Sequence, residues 1–598
     1  MECKPYTEME SPQRRRRRSA AAVLALAMAV TAPVAPAQSS TVLVGGLAAP
    51  AAVMPGPNRL SNGGFEAGGA AWSGGAGWSL DRRIAHGGSV SYRRDTGART
   101  ATTTVHLAPG VYRFAAWVKT EHLADGLRLR LDLRPGFHRW FTAEIERGTA
   151  DWRRYELTDV VVTQPATASL KLEADDHTVG TAWFDDVTIE EQLPPPLQTF
   201  LLYPNFRGLM FDDGPSTLRV DVQLSPAAAD AHRYAVRGLL RDQASGHVVA
   251  AQSYPARPSF VGELDGSTMR PGSVYLATFA LVDTASGAQV YASPDYRVAH
   301  APVSARASMR VSLDRGNRLL VHGVPRFLLG GDDAILSATP AAGLPVTVVD
   351  ACGPTAEAAF GHYDSARRRD ASAVAVAVTA AAADLLRWRD APDVVAVDSQ
   401  PMFGPEPAGG YDHRAVAEAT ARSRTAVRDA RPIVSVLPFV PLSSLGRWPT
   451  RAELRSHAYM AIVEGARGLW WSSVGAGRCG GDCADEARHM DNLRSVVDEL
   501  ATLEPVLLAD DAPAALAGHS NSNIKVKVKL VNGQGFVLAY NASRSPQSAT
   551  FTWSSAPGTV WVHAEGRALV TAGRSFSDTF APFAAHVYVI AGAVTGAN

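Results

Sequence analysis

For a chain of 598 residues there is little cysteine, four residues in all, and no excess of either charge, with 58 basic and 58 acidic side chains. The charge balance removes the electrostatic footprint expected of a nucleic-acid or anionic-membrane binder. So few cysteines exclude a disulfide scaffold, which leaves stability to buried cores. No apolar run reaches the ~20 residues that a membrane span needs. What is present is length. At roughly 100–200 residues per domain, the chain divides into three to five units.

The first 37 residues read as a signal peptide. Arg14 to Arg18 form a basic start, Ala20 to Val30 an apolar stretch, and Ala35-Pro36-Ala37 a small-residue cleavage site before Gln38. The expectation is an exported protein, secreted or periplasmic, with no transmembrane segment in the mature chain; an uncleaved anchor is the alternative. In an oxidising compartment Cys479 and Cys483, spaced by Gly480-Gly481-Asp482, are expected to form a local disulfide. Cys352 is then left as a buried thiol, unless it pairs with one of them.

Residues 38–57 are rich in Ala and Gly and are expected to form a flexible lead-in. Residues 58–191 show short strands of alternating polarity between Gly-rich turns, the pattern of an all-β sandwich. Pro194-Pro195-Pro196 marks a stiff linker, and 197–300 has the size and pattern of an immunoglobulin-like β-sandwich. From 305 to 510 apolar strands alternate with Ala-rich helices, the arrangement of a parallel sheet with crossover helices. Only about six strand–helix units are countable, near 327–330, 346–350, 373–378, 394–398, 433–439 and 468–472. Thr450 and Glu453 form a capping box at the start of one helix. Residues 520–598 return to strands, for a small C-terminal β-sandwich. There Ile524, Val526, Val528 and Leu530 alternate with Lys525, Lys527 and Lys529, which predicts lysines on a wet face.

Two stretches carry a family resemblance. Asn62-Gly63-Gly64-Phe65-Glu66 and Trp183-Phe184-Asp185-Asp186-Val187 resemble the two ends of a carbohydrate-binding module of the cellulose/xylan-binding jelly-roll family. That likeness implies a polysaccharide or glycan partner. It also implies a structural Ca²⁺ held by Glu66 and Asp185, with no cofactor required for function; the plainer role for these acids is to satisfy backbone groups at strand ends. Sugars lay C–H faces on exposed aromatic rings. Trp72, Trp78, Phe137 and Trp140 sit in Gly-rich or loop contexts and are the expected ligand contacts. Phe65, Phe114, Trp117, Trp152 and Phe184 are expected in the core.

Pro392-Asp393-Val394-Val395-Ala396-Val397-Asp398-Ser399-Gln400-Pro401, together with Arg467-Gly468-Leu469-Trp470-Trp471, resembles the late units of a glycoside-hydrolase (β/α)8 (TIM) barrel, here two units short. Such barrels keep their chemistry at the C-terminal strand ends. Cleavage needs two carboxyls, about 5–5.5 Å apart for retention or roughly 6.5–9.5 Å for inversion. No Asp-Glu-Pro or Asn-Glu element supplies the usual acid. Were Asp398 on the fourth strand, Gln400 would stand where glutamate belongs. Candidate pairs are Asp398 with Glu406, or Asp333 with Asp398. Trp470 and Trp471 suit a sugar platform, although alternation allows only one of them to face inward. The expected activity is a glycan-binding, glycoside-hydrolase-like protein with catalysis weak or lost. The alternatives are an active hydrolase with a non-standard acid pair, and a surface adhesion or scaffold protein.

Overall fold

The computed structural model describes residues 46–47 and 54–592, apart from 70, 125, 135–138, 163–164, 176, 332–345, 351–374, 381–388, 399–412, 440–447 and 473–482. Strand dominates, in several separate sheets. None of the described helices is long and apolar enough to cross a membrane.

The N-terminal sandwich packs a six-stranded antiparallel sheet on a four-stranded one. The four-stranded sheet runs Ala101–Leu107, Ala166–Ala174, Leu127–Arg134, Arg139–Glu144. Strict alternation drives it. In Leu127–Arg134 and Ala166–Ala174 every second residue is buried, and Leu129, Leu131, Leu170 and Leu172 join Phe65, Phe114 and Phe184 in one core. Their neighbours stand on the opposite face. Part of the lead-in is also paired: Gly46–Leu47 adds to the second sandwich through Tyr296 and Arg297, and Met54–Asn58 adds to the long strand Thr181–Leu193. The second sandwich sets a seven-stranded sheet against the three strands Leu197–Tyr203, Thr217–Leu224 and Ser259–Asp265.

The third unit is a six-stranded, all-parallel sheet. Leu328–Gly331 pairs with Gly468–Ser472, which continues through Ile433–Pro438, Val394–Asp398 and Ala375–Ala380 to Val346–Asp350. In chain order the strands run 1-6-5-4-3-2, so the last meets the first as it would in a barrel. Among the described residues no ladder joins the first strand to the second. Helix Arg451–Glu464 starts with the expected reciprocal cap between Thr450 and Glu453 and ends at Gly465, whose φ of 109° is left-handed backbone that glycine adopts readily. The outer side of this sheet, with Leu329, Leu437, Leu469 and Trp471, packs on the helices. Its inner side, with Leu328, Ala396, Val434 and Val436, packs on Phe206, Phe211 and Met309.

The last sandwich, of four- and five-stranded sheets, corrects one expectation. Lys529 is buried and Lys527 is largely covered, so this part of the strand Ile524–Val531 is not a wet face. The alternation is as read, but a neighbouring domain packs over the lysines: burial, and to a lesser degree nearby Arg467 preceding the last parallel strand, hold both of their pKa values below the ordinary lysine range.

Candidate functional site

The outward face of the four-stranded sheet in the N-terminal sandwich is built of charge. Arg130 donates to Asp132 (2.6 Å) and to Glu173 (3.3 Å), Lys171 donates to Asp132 (2.5 Å), and Arg128 donates to Glu173 (3.1 Å) and Asp175 (2.8 Å). Asp132 and Glu173 are only 13% and 15% exposed. Burial works against the charge of Asp132, but its bonds from Arg130 and Lys171 outweigh this and hold its carboxyl below the ordinary range. Glu173 Oε2 is withdrawn from solvent and accepts no hydrogen bond. Trp140 pairs in backbone register with Asp132. Such an array of fixed donors and acceptors is suited to a polyhydroxylated ligand.

The other aromatic candidates divide. Phe137 lies outside the described residues. Trp72 is buried in the core against Phe65, with ring centroids 5.7 Å apart. Trp78 stacks on Tyr92 at 4.8 Å and donates from Nε1 to the Arg99 carbonyl at 2.8 Å. Gly74 serves close packing rather than an open loop: a Cβ there would lie 2.7 Å from the Trp78 ring and 2.2 Å from the Tyr92 hydroxyl. Two tryptophans expected in the core are instead half-buried on the outer face of the six-stranded sheet. Trp117 stacks on His86 at 3.9 Å, and Trp152 meets the same ring edge-on at 5.6 Å. The signal was parity, since Phe114, Ala116 and Val118 point inward and Trp117 lies between them.

Glu66 and Asp185 pin the loop 86–90. Glu66 accepts the Ser89 and Val90 amides at 2.7 and 3.0 Å and the Ser89 hydroxyl at 2.8 Å. Asp185 accepts the His86, Gly87 and Asp186 amides at 2.7, 3.1 and 2.8 Å. Burial nevertheless lifts the Asp185 carboxyl above the ordinary aspartate range. Both carboxylates therefore take the plainer role of satisfying backbone groups at the strand ends. Among the described residues no cluster of three or more His, Cys, Asp or Glu is placed to hold one.

In the parallel sheet, register puts Gly330, Trp470, Val436 and Asp398 in one row across four strands. Trp471 is fully buried against the helices. Trp470 takes the other face, with Val436, and its ring crosses Gly330, where a Cβ would come within 2.7 Å of it. Asp398 stands two strands from Trp470, roughly 10 Å at the usual inter-strand spacing. Asp350 ends the second strand opposite Thr379, which is itself opposite Ala396, two residues before Asp398. Asp333, Glu406, Gln400 and Cys479 lie outside the described residues, as does the side chain of Cys483 at a helix start, so the expected disulfide lies outside them too.

No known protein-family profile matches the chain, and no curated protein matches it. Its structural neighbours are carbohydrate-binding modules and glycoside hydrolases, each at low and partial similarity. A family 61 carbohydrate-binding module solved with β-1,4-galactotriose is 23% identical, covers 23% of this chain and 99% of its own, and has a TM-score of 0.19. An α-amylase from Anoxybacillus is 10% identical over 42% of this chain and 60% of its own length, with a TM-score of 0.30. A glycosyl hydrolase family 2 member from Bacteroides cellulosilyticus is 11% identical over 83% and 90%, with a TM-score of 0.27. Likeness at this level does not assign a function.

Proposed function

We propose that this is an exported glycan-binding protein on a glycoside-hydrolase-like chassis, with polysaccharide held by the N-terminal sandwich and catalysis weak or lost. The observation that carries the reading is the face of Arg128, Arg130, Asp132, Lys171 and Glu173. Three cations face four carboxylates, with Asp175 and Glu144 both on Arg128, so no cation is left to recruit an anion and the face is matched to a neutral, hydroxyl-rich ligand. Its groups are already held in position, which lowers the ordering cost of binding. The backbone register sets Trp140 opposite Asp132, and the aromatic residue type is the one that stacks on a pyranose. The weak-catalysis part rests on the parallel sheet. Among the described residues its row holds one carboxylate, Asp398, with Trp470, Val436 and Gly330, where hydrolysis needs two carboxyls across the bond.

Depletion of the full-length protein by insoluble polysaccharides, with reducing-sugar release measured in parallel, tests both parts. Binding to at least one polysaccharide that weakens about tenfold or more in Arg130→Met and Trp140→Ala is expected, the scale of one lost charge-assisted contact. Release should not exceed background. Sugar release that disappears in Asp398→Ala would restore the hydrolase, and undiminished depletion by both sandwich variants would remove the binding face.

A further inference from the structure

A second charged site lies far from the sugar face, and its charges do not close. At the N-terminal end of the parallel sheet there is a cavity of about 390 Å³. Its walls are the hairpin turn at Arg315–Asn317, the start of the strand Ile433–Pro438, the turn Gly465–Arg467 and the strand Ile524–Val531. Six cations, from Arg315, Arg424, Arg431, Arg467, Lys527 and Lys529, face two carboxylates, Asp429 and Asp511. Asp398 and Trp470 sit toward the opposite ends of their strands, so this is not the row described above.

The partners show where charge is missing. Arg431 is committed to the Leu201 and Ala430 carbonyls, and Arg424 to Asp429 (3.2 Å) and the Glu464 carbonyl (3.0 Å). Lys527 and Lys529 share the one carboxylate of Asp511, at 3.2 and 2.7 Å, with their side chains 12% and 2% exposed. The Arg467 guanidinium lines the same cavity and makes no ion pair or hydrogen bond among the described residues. Burial pulls both lysines below the ordinary lysine range, Asp511 opposes this, and Arg467 adds to the depression. Withdrawn cations outnumbering their counter-charges are costly unless an anion joins them. Gly465 keeps the space open, because a Cβ there would meet the Arg424 side chain at 2.7 Å.

We propose that this cavity binds a tetrahedral oxyanion, phosphate or sulfate, as the free ion or as the ester of a sugar. The guanidinium fork of Arg467 and the two ammonium groups approach from different elements, which suits an anion with oxygens in several directions better than a planar carboxylate. A volume of this size falls in the range of small-ligand pockets, so a phosphorylated or sulfated monosaccharide fits as well as the bare ion.

Thermal unfolding of the full-length protein, with sodium phosphate, sodium sulfate or glucose 6-phosphate replacing sodium chloride at constant ionic strength, tests this. A saturable rise in Tm is expected, with the apparent Kd raised about tenfold or more in Arg467→Gln and in Lys527→Gln, the scale of one lost charge-assisted contact. Sugar phosphate binding more tightly than inorganic phosphate identifies the ester as ligand; equal affinities identify the free ion. No saturable shift in the wild type beyond that in chloride overturns the proposal, as does an equal shift in both variants. The readout is independent of polysaccharide depletion, so this site and the sugar face fail separately.

Discussion

Removing the carboxylate of Asp393 should unlock the second sandwich from the parallel sheet. Asp393 precedes the strand Val394–Asp398, and its side chain is 2% exposed, as is that of Arg207, which reaches it from the second sandwich. Arg207 Nε lies 3.3 and 3.2 Å from the two carboxylate oxygens, and Nη2 lies 2.9 Å from one of them. Breaking a buried pair from one side strands the other charge without water, which costs about 3–5 kcal/mol. At roughly 2–4 °C per kcal/mol for a unit of this size, Asp393→Ala should lower Tm by on the order of 6–20 °C. Denaturant unfolding and limited proteolysis between 190 and 330 are the assays, and the double variant Arg207→Met/Asp393→Leu is the discriminating control. It removes both charges and should recover most of the loss, because an apolar pair in such a site is often neutral or stabilising. A loss below about 1 kcal/mol in Asp393→Ala, or a double variant as unstable as the single, would refute this account of the junction.

His457 offers a pH test. It is fully buried, 2.7 Å from His413, which in turn faces Glu453 at 3.9 Å, and burial first and His413 second hold its pKa down to about 3. The folded value lies below the unfolded one, so stability is present above about pH 6.5 and falls toward pH 3, by at most roughly 1.4 kcal/mol per unit. His457→Met should show a flatter Tm-against-pH curve over that range, and parallel curves would exclude His457 as the group responsible. Because Glu66 and Asp185 are occupied by N–H groups, EDTA should leave Tm unchanged; a fall reversed by Ca²⁺ would show that a cation replaces those bonds. Gly330→Ala should displace the Trp470 ring and change tryptophan fluorescence, with a spectrum like the wild type counting against the placement of that ring.

Period-two alternation placed the sandwich strands in the sequence, because burial on one face imposes it directly, whereas the parallel strands, covered on both faces, were legible as short continuous apolar runs between helices. The capping box at Thr450 was legible for a similar reason: both halves of the interaction are three residues apart. Contacts made between distant segments were not legible. The alternation of Lys525, Lys527 and Lys529 is correct, yet which face is wet depends on a domain packed against that strand. Trp72 and Trp78 looked exposed because glycines surround them, yet Trp72 packs on Phe65 and the missing side chain of Gly74 lets Trp78 and Tyr92 pack closely. Trp117 could have been assigned outward from its parity with Phe114 alone. The motif around Asp393 suggested chemistry, but that aspartate holds two domains together, a role that needs Arg207 from 186 residues earlier.

The three charge clusters of this chain differ in one respect that sorts their roles. At Arg207 and Asp393 a cation meets an anion with both side chains only 2% exposed, so no ligand reaches the pair and its role is architectural. On the face of Arg128, Arg130 and Lys171 the acids Asp132, Glu144, Glu173 and Asp175 leave no excess of cations, but the groups remain at a surface, with Arg128 and Arg130 22% and 26% exposed. A closed but accessible network gains nothing from an ion and can still exchange hydrogen bonds with hydroxyls, which is the requirement for a neutral saccharide. In the cavity of Arg467, Lys527 and Lys529 the count stays open, and only an anion closes it. Substituting Arg467 should therefore leave polysaccharide depletion untouched, and substituting Arg130 should leave the phosphate-dependent rise in Tm untouched, because neither deficit can be met by the other ligand.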